Sequence, residues 1–442
     1  MASRSFTLIP AHKYRRSGRK QGPSIGAARR QRRSTWGRFE KIPAEVLDMI
    51  LRHLTVKEMS VFSMVSKAVG AYVVRQVSTL AWRSRMFVQE FHPARPSSQE
   101  DCILEHYKCL GLLFKRCTLL LPTKDRLKFI YGNFSQVPCV VLERCAVHPV
   151  CLGFASFGAF LQTLIAGWDE LECHRVFNSL CEFTNLPRKI QTAVASKPGA
   201  SEKLEGQIRL FCRSVLLDPW LSRRDTLFWL TRILKPWPMV NQARLLFIFY
   251  GPLTLDGRIG WQSLCDTVVA ECSLWDLAKA LKLLYNDPET KEWTTDSVIS
   301  LIEELTVLPG EWLQENVARL LILCGNRTCF TFMASRALNG RVAEIARLLV
   351  FLILVCEKDG YCMNWSVKMM QQISRVFPGS PERWSFVQSV ENVFSQVTMQ
   401  MYESLMAGGR EAEADTFQNL CSILNASAHF HTEMVYMIIK GD

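Results

Sequence analysis

Residues 1–38 contain no aspartate or glutamate, yet they hold eleven of the chain's 53 lysines and arginines. These are Arg4, Lys13, Arg15, Arg16, Arg19, Lys20, Arg29, Arg30, Arg32, Arg33 and Arg38. The other residues carry 42 basic against 41 acidic side chains, so the formal net charge of +12 belongs to one end. A nucleic-acid groove built into the fold would leave the body itself basic, and this body is near neutral; nucleic acid is not an expected partner. Large apolar side chains are also scarce in 1–38, too few to offset the entropy of ordering, so disorder is expected there. Lys13, Arg15, Arg16, Arg19 and Lys20, followed by Arg29, Arg30, Arg32 and Arg33, read as a bipartite nuclear-import signal. The plain alternative is a solvated basic tail without an address. A mitochondrial presequence is opposed by Pro10, Gly18, Gly22, Pro23 and Gly26, which interrupt the amphipathic helix it requires.

Other absences narrow the class further. No apolar run approaches the roughly 20 residues needed to cross a bilayer; Leu348–Cys356, the longest, is closed off by Arg347 and Glu357. No apolar leader precedes a small-residue cleavage site, so a secretory signal is not expected. The sixteen cysteines are scattered at irregular spacings, many in apolar runs such as "LLILCGN", and read as reduced, buried thiols. A nuclear or cytoplasmic protein without a membrane span is the expectation. No GxxxxGK[ST], GxSxG or HExxH occurs, leaving phosphate-loop, serine-hydrolase and zincin chemistry without an anchor. Cys139, Cys145, His148 and Cys151 have zinc-ligand chemistry, but C-x5-C-x2-H-x2-C lacks close CxxC pairs, so no metal or cofactor is assigned. Cys173 and His174 are sequence neighbours, about 100° apart on a helix, and Asp169, Glu170 and Glu172 surround them. That is a poor setting for a thiolate, and no catalytic residue is assigned.

What is present is helical periodicity. After residue 101 it recurs almost to the end, in stretches such as "SLWDLAKALKLLY" and "RVAEIARLLVFLILVCEK". The breakers "SKPGAS", "KPWP" and "YNDPET" fall between them, and alternating strand patterns are absent. Capping-box spacing at Ser273 and Asp276 and a Ser380-Pro381 start mark helix beginnings. The expected fold is all-α: an irregular, solenoid-like stack of antiparallel helix pairs over 101–442. The only internal similarity, "RLKFIYG" with "RLLFIFYG", does not establish a period.

Ile42 to Val69 is unusually apolar: fourteen of 28 residues are Ile, Leu, Val, Met or Phe. Pro43 suits a first helical position, and Thr55 with Glu58 has capping-box spacing for a second helix. A third helix is expected around Val69, Tyr72, Val73 and Val77. On a wheel, Val46, Leu47, Ile50, Leu51 and Leu54, extended by Met49, cover an arc of about 200°, whereas a surface helix needs a stripe only somewhat wider than 100°. The surplus either packs on the chain's own body or serves as a docking face for another protein.

Ile42-Pro43-x-Glu45, Ile50, Leu54, Glu58-Met59 and Val65-Ser66-Lys67 together resemble the F-box, a motif of roughly forty residues. The family's opening Leu-Pro appears as Ile42-Pro43 and its Leu after the acidic residue as Met59, while its tryptophan is replaced by Val69. "LGLLFKRCTLLLPTK", "AGWDELECHRV" and "FWLTRILKPWPMVNQARLL" extend a resemblance to F-box proteins over nearly the whole chain beyond the tail. The resemblance implies a noncatalytic substrate receptor of an SCF-type ubiquitin ligase. Ile42, Pro43, Val46, Ile50, Leu54, Met59 and Val65 would dock on the Skp adaptor and, through it, the cullin–RING ligase. The helical body, carrying no named substrate-binding repeat, would recruit an unidentified protein substrate. The stretch "FHPARPSSQED" (91–101) concentrates Pro and Ser without apolar periodicity and reads as a linker. The expected layout is therefore a basic tail (1–38), F-box (39–82), linker (83–100) and helical recruiting domain (101–442). A helical scaffold acting outside the ligase is the alternative reading.

Overall fold

The computed structural model describes residues 39, 42–87, 91, 100–119, 121–134, 152–286, 292–407 and 413–440. The basic clusters and the Cys139, Cys145, His148, Cys151 group lie outside the described residues. Among the described residues the chain is a succession of α-helices, and the only extended pairing is one antiparallel bridge between Leu253 and Ile259.

Four short helices open it: α1 (Ala44–His53), α2 (Val56–Phe62), α3 (Lys67–Val77) and α4 (Leu80–Met86). Pro43 stands one residue before α1, with Glu45 in the first turn and Arg52 and His53 in the last, each complementing the helix dipole. The capping box of α2 forms as its spacing suggests: the Glu58 N–H donates to Thr55 Oγ1 at 3.3 Å, and the Thr55 N–H donates to the Glu58 carboxylate at 2.8 Å. Ser66 caps α3, and Val69, Tyr72, Val73 and Val77 form its buried face, as the periodicity indicated. Tyr72 and Gln76 both donate to the Asp48 carboxylate, tying α3 to α1.

The linker expected over 83–100 is not a linker at its start. Residues 83–86 complete α4, and Trp82, Phe87 and Phe91 are buried. The Phe87 ring meets Phe134 edge-on at 4.9 Å and also contacts Tyr107 and Phe114. Those aromatics outweigh the Pro and Ser content of 93–98 on which the linker reading rested. Residues 88–90 and 92–99 are outside the described residues.

The body begins with α5 (Glu100–Cys117), α6 (Thr123–Phe134) and α7 (Leu152–Ile165). Helix α7 is apolar nearly all round and correspondingly buried. Two glycines let neighbours approach its backbone. A Cβ on Gly111 would lie 2.5 Å from the Phe160 carbonyl oxygen, and one on Gly158 only 2.1 Å from that of Ser214.

Next come α8 (Glu170–Thr184), α9 (Leu186–Ala195), α10 (Glu202–Phe211), a π-helical turn (Cys212–Leu217), α11 (Arg223–Leu234) and α12 (Met239–Tyr250). Then follow α13 (Ser263–Asp266), α14 (Trp275–Tyr285), α15 (Thr295–Leu305), α16 (Gln314–Cys324), α17 (Asn326–Leu338), α18 (Val342–Asp359) and α19 (Met363–Ser374). Two long helices close the chain, α20 (Ser380–Ala407) and α21 (Glu413–Lys440).

Helix α10 packs on α12, α12 on α14 and α15, α14 on α16, α16 on α18, and α18 on α20 and α21. Contacts between near neighbours propagate one continuous core along the stack, which is the organisation of a solenoid. Buried ionic groups brace it: the Glu205 carboxylate accepts from Trp261 Nε1 at 2.9 Å and pairs with Arg244 at 3.4 Å. One cap differs from expectation. Ser273 and Asp276 make no capping box; a 3-10 turn (Glu271–Leu274) leads directly into α14. No helix among the described residues is long and apolar enough to cross a membrane.

Candidate functional site

Helix α1 divides its apolar residues between two sides. Leu47 and Leu51 are buried, while Val46, Met49 and Ile50 are exposed, Met49 at 54% and Ile50 at 37%. On the wheel the buried positions 47 and 51 occupy one end of the apolar arc and 46, 49 and 50 the other. In α2, Val56, Met59 and Ser60 are buried toward the body, where Arg116 Nη1 of α5 donates to Ser60 Oγ at 2.8 Å. Val61 of α2, and Met64 and Val65 in the turn that follows it, remain exposed, Val65 at 56%. The helical pair therefore does both things its surplus allowed: one face packs on its own chain and the other stays uncovered.

Of the seven residues singled out from the sequence, Pro43, Val46, Ile50 and Val65 are exposed, and Ile42 and Leu54 are half-buried against the core. Met59 is a correction. It is fully buried, with Trp82 Nε1 3.4 Å from its sulfur, so it supports the face from beneath and is unavailable to a partner. Met49, Val61 and Met64 belong to the exposed set but were not singled out. The wheel placed Met49 beside the chosen positions of α1, and only burial separates the exposed residues from the covered ones. Val69 is fully buried, so its departure from the family tryptophan concerns the packing of α3 and not the outer face.

A second concave region lies between α7, α8 and α11. It encloses about 570 Å³ and is lined by Trp168, Cys173, Trp220 and Trp229, among others. Arg126 lies 4.6 Å over the Trp168 ring, and Trp220 stacks on Trp229 at 5.6 Å. Burial first, then Asp225 and Asp169, push the Cys173 thiol up to about 11, the opposite of what a nucleophile needs. Burial likewise pushes Cys117 up to about 12. Among the described residues no group of three or more His, Cys, Asp or Glu is placed to hold a metal ion.

Fold and surface together define an all-helical, solenoid-like protein whose first two helices present uncovered apolar side chains. The family described as "FBXO47, ARM repeats" matches residues 182–435. The chain is 54% identical over 449 aligned positions to F-box only protein 47 of Homo sapiens, covering 100% of this chain and 99% of that protein. Identity and coverage are the same for F-box only protein 47 of Mus musculus. No solved structure matches the chain. The chain belongs to the F-box only protein 47 family. The matched description also corrects the reading of the body as lacking a named repeat. Armadillo-type units of about 40–47 residues are built from helices whose only recurring signal is apolar spacing, which a single sequence does not separate from irregular stacking.

Proposed function

We propose that this chain is the noncatalytic substrate-recognition subunit of an SCF-type ubiquitin ligase. Residues 39–87 would dock on a Skp-type adaptor, and the helices from 100 to 440 would hold a protein target. The observation that carries the reading is the uncovered apolar side of α1 and α2, on a module whose opposite side is already packed. Ile42, Pro43, Val46, Ile50, Leu54 and Val65 would form the contact with Met49, Val61 and Met64, as an apolar helical face laid against a groove. Such a receptor contributes proximity: it raises the effective concentration of target lysines near the ubiquitin-charged enzyme, and no residue of this chain performs bond chemistry. The basic clusters would direct the protein to the nucleus, with cytoplasmic residence as the alternative.

The test pairs Ile50→Asp with Val65→Asp. Both side chains are exposed, so the fold tolerates the charges, whereas Leu54→Asp would also disturb the core. The doubly substituted chain is expected to keep its helical circular dichroism and melting temperature while losing co-purification with the adaptor and neddylated cullin. Undiminished co-purification would refute the docking face.

A further inference from the structure

Away from α1 and α2, one cleft combines an apolar floor with a surplus of positive charge among the described residues. It lies where α11, α12 and α14 meet the π-helical turn and holds about 600 Å³. Leu217, Trp220, Tyr250 and Leu283 supply apolar lining. Leu221, 97% exposed, stands at its edge. An isolated leucine so fully in water gains from being covered. Trp220 is held by stacking on Trp229, and its indole N–H is buried without an acceptor among the described residues.

The charges in the cleft fall into two sets. Arg213 pairs with both Asp218 at 3.0 Å and Asp276 at 2.9 Å, a trio that keeps one negative charge in surplus. Arg223, Lys279 and Lys282 are exposed and have no carboxylate within ion-pair distance among the described residues. Arg223 donates to the Asn286 carbonyl oxygen at 2.9 Å. Lys279 and Lys282 are three apart on α14, hence on one side of that helix. Among the described residues the lining holds Arg213, Arg223, Lys279 and Lys282 against Asp218 and Asp276, a net of +2 around an apolar floor on a body that is otherwise near neutral, and so forms a local complement for negative charge.

We propose that this cleft grips a segment of a partner protein in which an apolar residue is flanked by aspartate or glutamate. The apolar side chain covers Leu221 and the floor, and the flanking carboxylates face Arg223, Lys279 and Lys282. Each exposed pair is weak alone, so recognition needs all three. That the gripped protein is a ubiquitylation target rests on the receptor reading above; the binding itself does not.

The experiment uses the full chain, co-purified with its adaptor, to select from a short random-peptide display library at low ionic strength. Enrichment of Asp and Glu beside Leu, Ile, Phe or Met is expected. A synthesised winning peptide should lose at least about tenfold in affinity on the Arg223→Glu, Lys279→Glu, Lys282→Glu chain, and similarly on Leu221→Asp, with binding weakened by salt. Unchanged circular dichroism and adaptor co-purification of the charge-reversed chain show that it is folded. Failure to enrich acidic residues, equal binding by the charge-reversed chain, or binding of single-stranded RNA in place of acidic peptides overturns the proposal. Acidic peptide binding by a chain that does not engage the adaptor supports the cleft and counts against the receptor reading alone.

Discussion

Met59 and Ile50 are both large apolar residues of the same amino-terminal module, and their fates differ completely. Ile50 meets water, while Met59 is sealed beneath Trp82. Residue type alone carries no information about that difference; it arises from which neighbour each side chain meets. Glycines make the same point. Gly158 occupies a place where a Cβ would sit 2.1 Å from the Ser214 carbonyl oxygen and 3.0 Å from Pro219 Cγ, whereas a Cβ on Gly132 meets nothing within 4 Å. Gly158→Ala is therefore expected to destabilise the fold by about 1–3 kcal/mol, because backbone must move to admit it. Gly132→Ala, inside α6, should stabilise by up to about 1 kcal/mol through helix propensity. Urea melts of the two variants check the contrast, and equal midpoints would show that α7 does not approach the π-helical turn so closely.

At the scale of elements, the last helix is fastened by histidines. His431 Nε2 lies 2.8 Å from Glu391 Oε1 on α20, and its Nδ1 lies 2.6 Å from the Ser427 carbonyl oxygen. His429 Nδ1 lies 2.8 Å from Glu357 Oε2 on α18. Burial alone would lower the His431 pKa, but the hydrogen bonds to Glu391 and to the Ser427 carbonyl, with the Glu391 charge, together raise it. A histidine whose folded pKa lies above its unfolded value of about 6.5 lends stability that is complete below that value. The contribution is lost as pH rises through the folded pKa. Amides of α21 should accordingly be better protected from hydrogen exchange at about pH 6 than at about pH 8, after correction for intrinsic rates. His431→Gln should flatten the difference. An unchanged pH dependence in that variant would remove His431 from the account. The elements themselves were largely legible beforehand. Thr55 and Glu58 announced α2, and the breakers at 196–201 and 235–238 separate α9 from α10 and α11 from α12. Ser273 and Asp276 announced a box that does not form, because the chain enters α14 through a 3-10 turn.

Across the whole molecule, charge and core are segregated. The tail carries the net positive charge, and the described body carries a continuous apolar core from Leu47 to Phe430. Deleting residues 1–38 is expected to leave the melting temperature and adaptor co-purification unchanged while abolishing salt-sensitive retention on a polyanion column. If adaptor binding disappears with the tail, the docking face does not act alone. The junction between module and body was not legible. Pro and Ser at 91–101 suggested a linker, extended in the layout to residue 83, yet Phe87 is embedded among Tyr107, Phe114 and Phe134, three side chains distant in sequence.

Sequence alone sufficed for the helical class, the basic tail, the caps of α2 and the apolar excess of α1, because each depends on residues within a few turns of one another. Which part of that excess is spent inside, at Leu47, Leu51 and Met59, and which part faces water, at Met49, Ile50 and Val65, was decided only by tertiary packing. The same holds for the cleft beside Leu221, where cations from α11 and α14 become neighbours through the stacking of helices. Local propensity acts along the chain, whereas burial is a property of surfaces that meet only once the chain has folded.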